Sequence, residues 1–196
     1  VRELGEEGLF EEMAKRNLEL FRKYKIRRVV CLSPHDYSAF RNDYFEVLKE
    51  NWIRLDIKVQ HYTEFIASLI DEGKLKIKRT FDKKVTFHDP CKLGRINGIY
   101  DAPRKLIKAT GARLIEMKLN RSNSYCCGGG GGCLWYTPID KPKIANERAR
   151  QALETGADIL AVACPVCAQM LEDGMKEIEG KMTVMDVAEI LQETIN

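Results

Sequence analysis

The chain has 196 residues, 44% of them apolar and 31% charged, with a formal net charge of +3. That length suits one α/β domain or two small ones, with enough apolar side chains for a packed core. So weak and evenly spread a charge argues against nucleic-acid or membrane-surface partners. No apolar run approaches the roughly 18 residues of a membrane span, so a cytoplasmic protein without direct membrane insertion is expected.

The chain opens on Val1 with no signal-sequence pattern, which points to processing, truncation or a recombinant fragment. A first helix is read at once from Leu9, Phe10, Met13, Ala14, Leu18 and Phe21, spaced three and four apart. Lys25 to Leu32 reads as a strand ending at Ser33-Pro34, followed by a helix from about Tyr37 to Glu50. A strand from Ile57 to Gln60 and a helix from Thr63 to Glu72 come next, and Gly73 closes that helix. The same alternation then recurs. Val85 to His88 is a buried-type strand leading to Asp89-Pro90-Cys91, and a helix from about Tyr100 to Thr110 ends at Gly111. Arg113 to Met117 is a strand, and a helix is expected from about Pro142 to Glu154. Asp158 to Ala163 is the next strand, ending at Cys164-Pro165 and a helix to about Ile178. Met182 to Met185 is the last strand, and Asp186 with Glu189 forms a capping box for the final helix. Alternating strands and helices predict an α/β fold with parallel-type sheets and flanking helices.

The two parts of this pattern superimpose. Aligning Ser33-Pro34-His35-Asp36 with Cys164-Pro165-Val166-Cys167 lays strand on strand. Val59 to Ile66 then lies on Val184 to Leu191 after a six-residue length difference. Two pseudo-repeated halves are therefore expected, residues 1–80 and 81–196. The first lacks thiols at its junction, and its own cysteine pair would fall ahead of Val1.

Five of the seven cysteines form one pattern, Cys91, Cys126-Cys127, Cys164 and Cys167, or Cys-x34-Cys-Cys-x36-Cys-x-x-Cys. An odd total in a chain of this type points to metal or redox chemistry rather than a disulfide framework. Thiolates are soft ligands that suit iron-sulfur clusters, zinc or copper(I), and no His-x3-5-His or carboxylate pair accompanies them. Four would complete a zinc site or a cubane, and five exceed that need. Adjacent side chains diverge along a chain, so Cys126 and Cys127 fit several irons better than one tetrahedral ion. Gly128 to Gly132 allow backbone N–H groups to approach a negative cluster, and Pro165 begins a helix whose positive end faces the same charge. A zinc-stabilised binding module and a metal-free dithiol oxidoreductase remain as alternatives. His88 reads either as a proton supply near the cysteines or as a hydrogen-bonded structural histidine. Cys31 is expected in the core, Trp135 and Tyr136 as a packed aromatic pair, and His35 and His61 without an assignable role.

The combination HDPCKLGR, SYCCGGGGG and ACPVCAQML resembles the cysteine-rich CCG domain of heterodisulfide reductase catalytic subunits, found also in iron-sulfur subunits of glycolate, lactate and glycerol-3-phosphate oxidising systems. The resemblance covers nearly the whole chain. It implies an oxidoreductase active within a complex, with Cys91, Cys126, Cys127, Cys164 and Cys167 as ligands of a [4Fe-4S] cluster. That cluster is non-cubane in the family's best-understood members. It implies other redox subunits as partners, ferredoxin-like iron-sulfur proteins or flavoproteins, through which membrane association would come. A small-molecule disulfide or another acceptor would take the electrons. The two departures are Ser33 and Asp36 in place of thiols, and Cys133 where relatives commonly have a basic residue. No ferredoxin-type Cys-x2-Cys-x2-Cys run is present, so electrons are expected to arrive from another subunit or segment.

Overall fold

The computed structural model describes residues 2–44, 46, 47, 57–136 and 143–195. Helix α1 (Glu7–Lys23) leads to β1 (Arg28–Cys31) and the short helix α2 (Pro34–Ser38). Then β2 (Lys58–His61) runs directly into α3 (Tyr62–Asp71). After β3 (Lys84–Phe87) come α4 (Asp101–Ala109), β4 (Arg113–Leu114) and α5 (Ile144–Leu153). The chain continues through β5 (Ile159–Val162), α6 (Pro165–Glu177), β6 (Thr183–Asp186) and α7 (Val187–Ile195). Every strand pairing is parallel: β1 with β2 in one sheet, and the order β4-β3-β5-β6 in the other.

The order of the larger sheet determines where a ligand can sit. From β3 the chain moves outward to β4, then returns to place β5 on the other side of β3. The carboxyl ends of β3 and β5 are therefore neighbours from which the connections depart in opposite directions. A crevice opens at such a switch point in an open parallel sheet. Both faces of β5 are buried, with successive residues serving different layers. Ile159, Ala161 and Ala163 join a core with Leu106 and Ile107 of α4 and Val187 and Ile190 of α7. Leu160, Val162 and Cys164 join one with Ala149 and Ala152 of α5 and Leu171 and Met175 of α6. Full burial of a leucine such as Leu160 or Leu171 contributes about 1.5–3 kcal/mol. Helices α5 and α6 pack closely because Gly174 has no side chain: a Cβ there would lie 2.9 Å from the carbonyl carbon and oxygen of Ala145.

Two boundaries and one pair of side chains depart from the sequence reading. The helix expected from Tyr37 starts earlier, at Pro34, and is helical again at Tyr44, Glu46 and Val47, while its expected end at Glu50 lies outside the described residues. It widens into a π-type turn, Ala39–Asp43, with Tyr44 N–H bonded to the Ala39 carbonyl. Phe40 and Tyr44 then both pack at the α1 surface, Tyr44 edge-on to Phe10. Strand β4 is two residues long rather than five. Ile115 still donates to Val85, but Met117 leaves the sheet and is buried beside Cys127 and Ala149. Trp135 and Tyr136, expected to pack as a pair, are 86% and 71% exposed, because the turn following the glycines carries them outward.

Candidate metal centre

All five patterned cysteines gather at the switch point. Cys91 follows β3, Cys126 and Cys127 follow β4, Cys164 follows β5 as the residue capping α6, and Cys167 lies in the first turn of α6. Their thiols interact in an unbroken series, Cys91 with Cys126, Cys126 with Cys127, Cys127 with Cys167, and Cys167 with Cys164. The Cys127 and Cys167 sulfurs are 3.3 Å apart. Cys127, Cys164 and Cys167 are buried, while Cys91 and Cys126 are half-buried and form the open edge. Cys31 is buried at the end of β1, as expected, and burial raises its thiol to about 11. Cys133 is half-buried and lines a separate cleft with Leu134 and Met170.

The sulfur contacts divide into donors and acceptors. Hydrogen bonds from Cys127 and Cys91, joined by the Gly128 N–H at 3.3 Å, hold the Cys126 thiol far below its ordinary range. Cys164 is also lowered, first by Cys167 and then by His35. Cys91, Cys127 and Cys167 are raised because they donate to these acceptors or lie beside them, and because they are buried. Within this network Cys126 and Cys164 are the sulfurs pushed toward the thiolate form. A cation binding all five would displace the remaining protons.

Backbone geometry accounts for the glycines next to the pair. Gly128 has φ +85°, a left-handed conformation that side chains disfavour, and its N–H turns back to Cys126. Gly129 lies against α6, where a Cβ would sit 2.6 Å from Val166 Cγ1 and 2.9 Å from Met170 Cγ. A side chain at this position would force Val166 and Met170 to shift as the loop closes on α6.

Two buried arginines brace this geometry, and the sequence reading identified neither. Arg104 of α4 forms a fork with the Asp89 carboxylate at 2.6 and 2.8 Å and a second with Glu116 at 2.6 and 2.9 Å. Asp89 also accepts the Arg121 backbone N–H at 2.7 Å, so the segment before Cys91 is tied to the segment before Cys126. Arg148 of α5 is fully buried. It donates to His88 Nδ1 at 3.1 Å, to the Leu119 carbonyl and Gln151 Oε1 at 2.9 Å each, and to Ser124 Oγ at 3.1 Å. The available signal was a basic residue at helical spacing within an apolar stripe: Arg104 beside Pro103 and Ile107, and Arg148 beside Ala145, Ala149 and Ala152. Arg95 also braces the site, donating to the Ser124 carbonyl at 2.6 Å.

His88 is 1% exposed, and burial followed by the Arg148 charge lowers it to about 3. A ring nitrogen of His88 lies within 4.8 Å of the sulfurs of Cys127 and Cys167. His35, expected to have no assignable role, reaches from α2 to Cys164. His61 caps α3, accepting the Thr63 N–H at its ring while Glu64 accepts the His61 N–H.

Known proteins share this arrangement of sequence. The chain is 38% identical over 197 residues to the Bacillus subtilis protein named "Probable iron-sulfur-binding oxidoreductase FadF", covering 99% of this chain and 27% of that protein. It is 38% identical over 200 residues to the EtfAB:quinone oxidoreductase of Syntrophomonas wolfei, covering 97% and 27%. It is 35% identical over 185 residues to one of the subunits of the dihydromethanophenazine:CoB–CoM heterodisulfide reductase of Methanosarcina mazei, covering 94% and 44%. The chain thus spans between about a quarter and under half of the length of these relatives. Residues 85–172, which contain all five clustered cysteines, match the family model described as a cysteine-rich domain, CCG, and this part of the chain is a cysteine-rich CCG domain.

Proposed function

We propose that Cys91, Cys126, Cys127, Cys164 and Cys167 hold an iron-sulfur cluster of [4Fe-4S] composition and non-cubane form. Through it the chain would pass electrons from partner redox subunits to a disulfide or another acceptor. The observation that carries this reading is the unbroken series of five sulfurs at the switch point. The donor set fits: it is entirely thiol, and the nearby Asp89 carboxylate is already engaged by Arg104 and the Arg121 N–H. When bound, such a cluster supplies one-electron transfer. The chain's own groups supply the rest. The Gly128 N–H and the amino end of α6 offset negative charge, and the buried layer beneath Cys164 and Cys167 excludes water from that side. The half-buried edge at Cys91 and Cys126 is the side on which an acceptor meets the site.

The printed names of relatives support the same reading, one as iron-sulfur-binding and others as an EtfAB:quinone oxidoreductase and a part of a heterodisulfide reductase. Among the described residues no helix is long and apolar enough to cross a membrane, and one relative is named a membrane-anchored ferredoxin. Membrane association through a partner or another segment accords with both. We further propose that residues 1–80 are the end of a first CCG-type half without cluster ligands and that residues 81–196 are a complete second half. The capping boxes at His61-Glu64 and Asp186-Glu189, each at the end of a strand running into a helix, support that division.

The test is to reduce anaerobic protein with dithionite, remove the excess, and mix it with a small organic disulfide. The expected result is return of the oxidised visible spectrum with two thiols released per disulfide and per two electrons. Spectral change without thiol release would assign the electrons to another acceptor, and absence of a metal chromophore would remove the cluster.

A further inference from the structure

Arg148 is an unusual residue to bury. It is 0% exposed, and no carboxylate pairs with it among the described ion pairs. Burial works against its charge, and the groups near enough to offset that are Asp89, Cys167 and Cys127. Two of the three belong to the sulfur group.

Its bond to His88 carries chemical information. Arginine only donates, so the Nε–H of Arg148, 3.1 Å from His88 Nδ1, requires a lone pair on Nδ1. A neutral imidazole has one such nitrogen, and its hydrogen is then on Nε2. A doubly protonated ring would set two donors against each other.

We propose that Arg148 fixes His88 as the neutral Nε2–H tautomer, which presents an N–H rather than a lone pair to the sulfurs of Cys127 and Cys167, and so leaves His88 no lone pair with which to ligate a metal. Distance alone would make His88, Cys127 and Cys167 a three-ligand metal site. Hydrogen-bond polarity makes it two sulfurs and an N–H held by a positioning arginine. This inference deepens the cluster reading, because donors to thiolate sulfur favour the reduced, more electron-rich state. The tautomer itself does not depend on metal.

The chain has three histidines, so nitrogen-15 NMR of histidine-labelled protein can resolve each ring. In the metal-free chain under reducing conditions, His88 is expected to show a pyridine-type Nδ1 and a pyrrole-type Nε2, and Arg148→Met to lose that preference. A Nδ1–H tautomer or a doubly protonated His88 in the unmodified chain overturns the proposal. In the metal-loaded protein, His88→Asn keeps an acceptor for Arg148 but loses the distal donor. It should retain iron and sulfide with a lowered reduction potential, and His88→Gln, which can extend a donor, should recover part of the shift. Loss of metal from folded His88→Asn would make His88 a ligand and overturn the assignment. A failure of the cluster reading would appear separately, as absence of iron from the unmodified chain.

Discussion

The junctions after β1 and β5 are built on the same plan and end differently. Each strand runs into a residue in extended conformation, then a proline that opens a helix: Ser33-Pro34 before α2, and Cys164-Pro165 before α6. Ser33 turns its hydroxyl inward to the helix and accepts the His35 N–H at 3.2 Å. Cys164 makes no such cap and turns its sulfur toward Cys167. One helix start consumes its side-chain acceptor for folding, and the other leaves it available for ligation. The surroundings differ accordingly. The second junction has the glycine loop against its helix, with Gly129 on Val166 and Met170, whereas α2 passes after five residues into a π-type turn.

Exchanging the two junctions gives the largest expected effect. Cys164→Ser should abolish most metal retention, and in the metal-free chain it should be neutral or stabilising by up to about 1 kcal/mol through a new cap. Metal analysis and urea unfolding read the two effects separately. Arg104→Met comes next. It leaves Asp89 buried without its ion-pair partner, and a loss of about 3–5 kcal/mol is expected in the same unfolding measurement. Gly129→Ala forces a Cβ against Val166 and Met170, for an expected loss of about 1–3 kcal/mol and weaker metal retention. Ser33→Ala is the smallest change, about 1 kcal/mol from the lost cap, with metal content unaltered.

Much of this contrast was legible in the sequence because short-range rules govern it. The strands, the proline-opened helices and the capping box at Asp186 and Glu189 follow from period, proline and cap chemistry, and that box forms with bonds of 2.7 and 2.8 Å. The gathering of five cysteines was legible from their position at strand ends. The bracing was not. Arg104 and Arg148 look like solvated helix cations until tertiary structure places Asp89 and His88 opposite them. His35 reaches Cys164 only because the two sheets meet. The π-type turn was also hidden, since it answers to ring packing against α1 rather than to the local pattern of Ala39 to Asp43.

The most direct test of the central claim is the iron, zinc and acid-labile sulfide content of anaerobically purified protein, measured beside Cys91→Ser and Cys126→Ser. The account predicts iron and sulfide near about four each per chain, with little zinc, and loss or alteration of the chromophore in both variants. Zinc without sulfide, or full iron content and an unchanged spectrum in both variants, would contradict it.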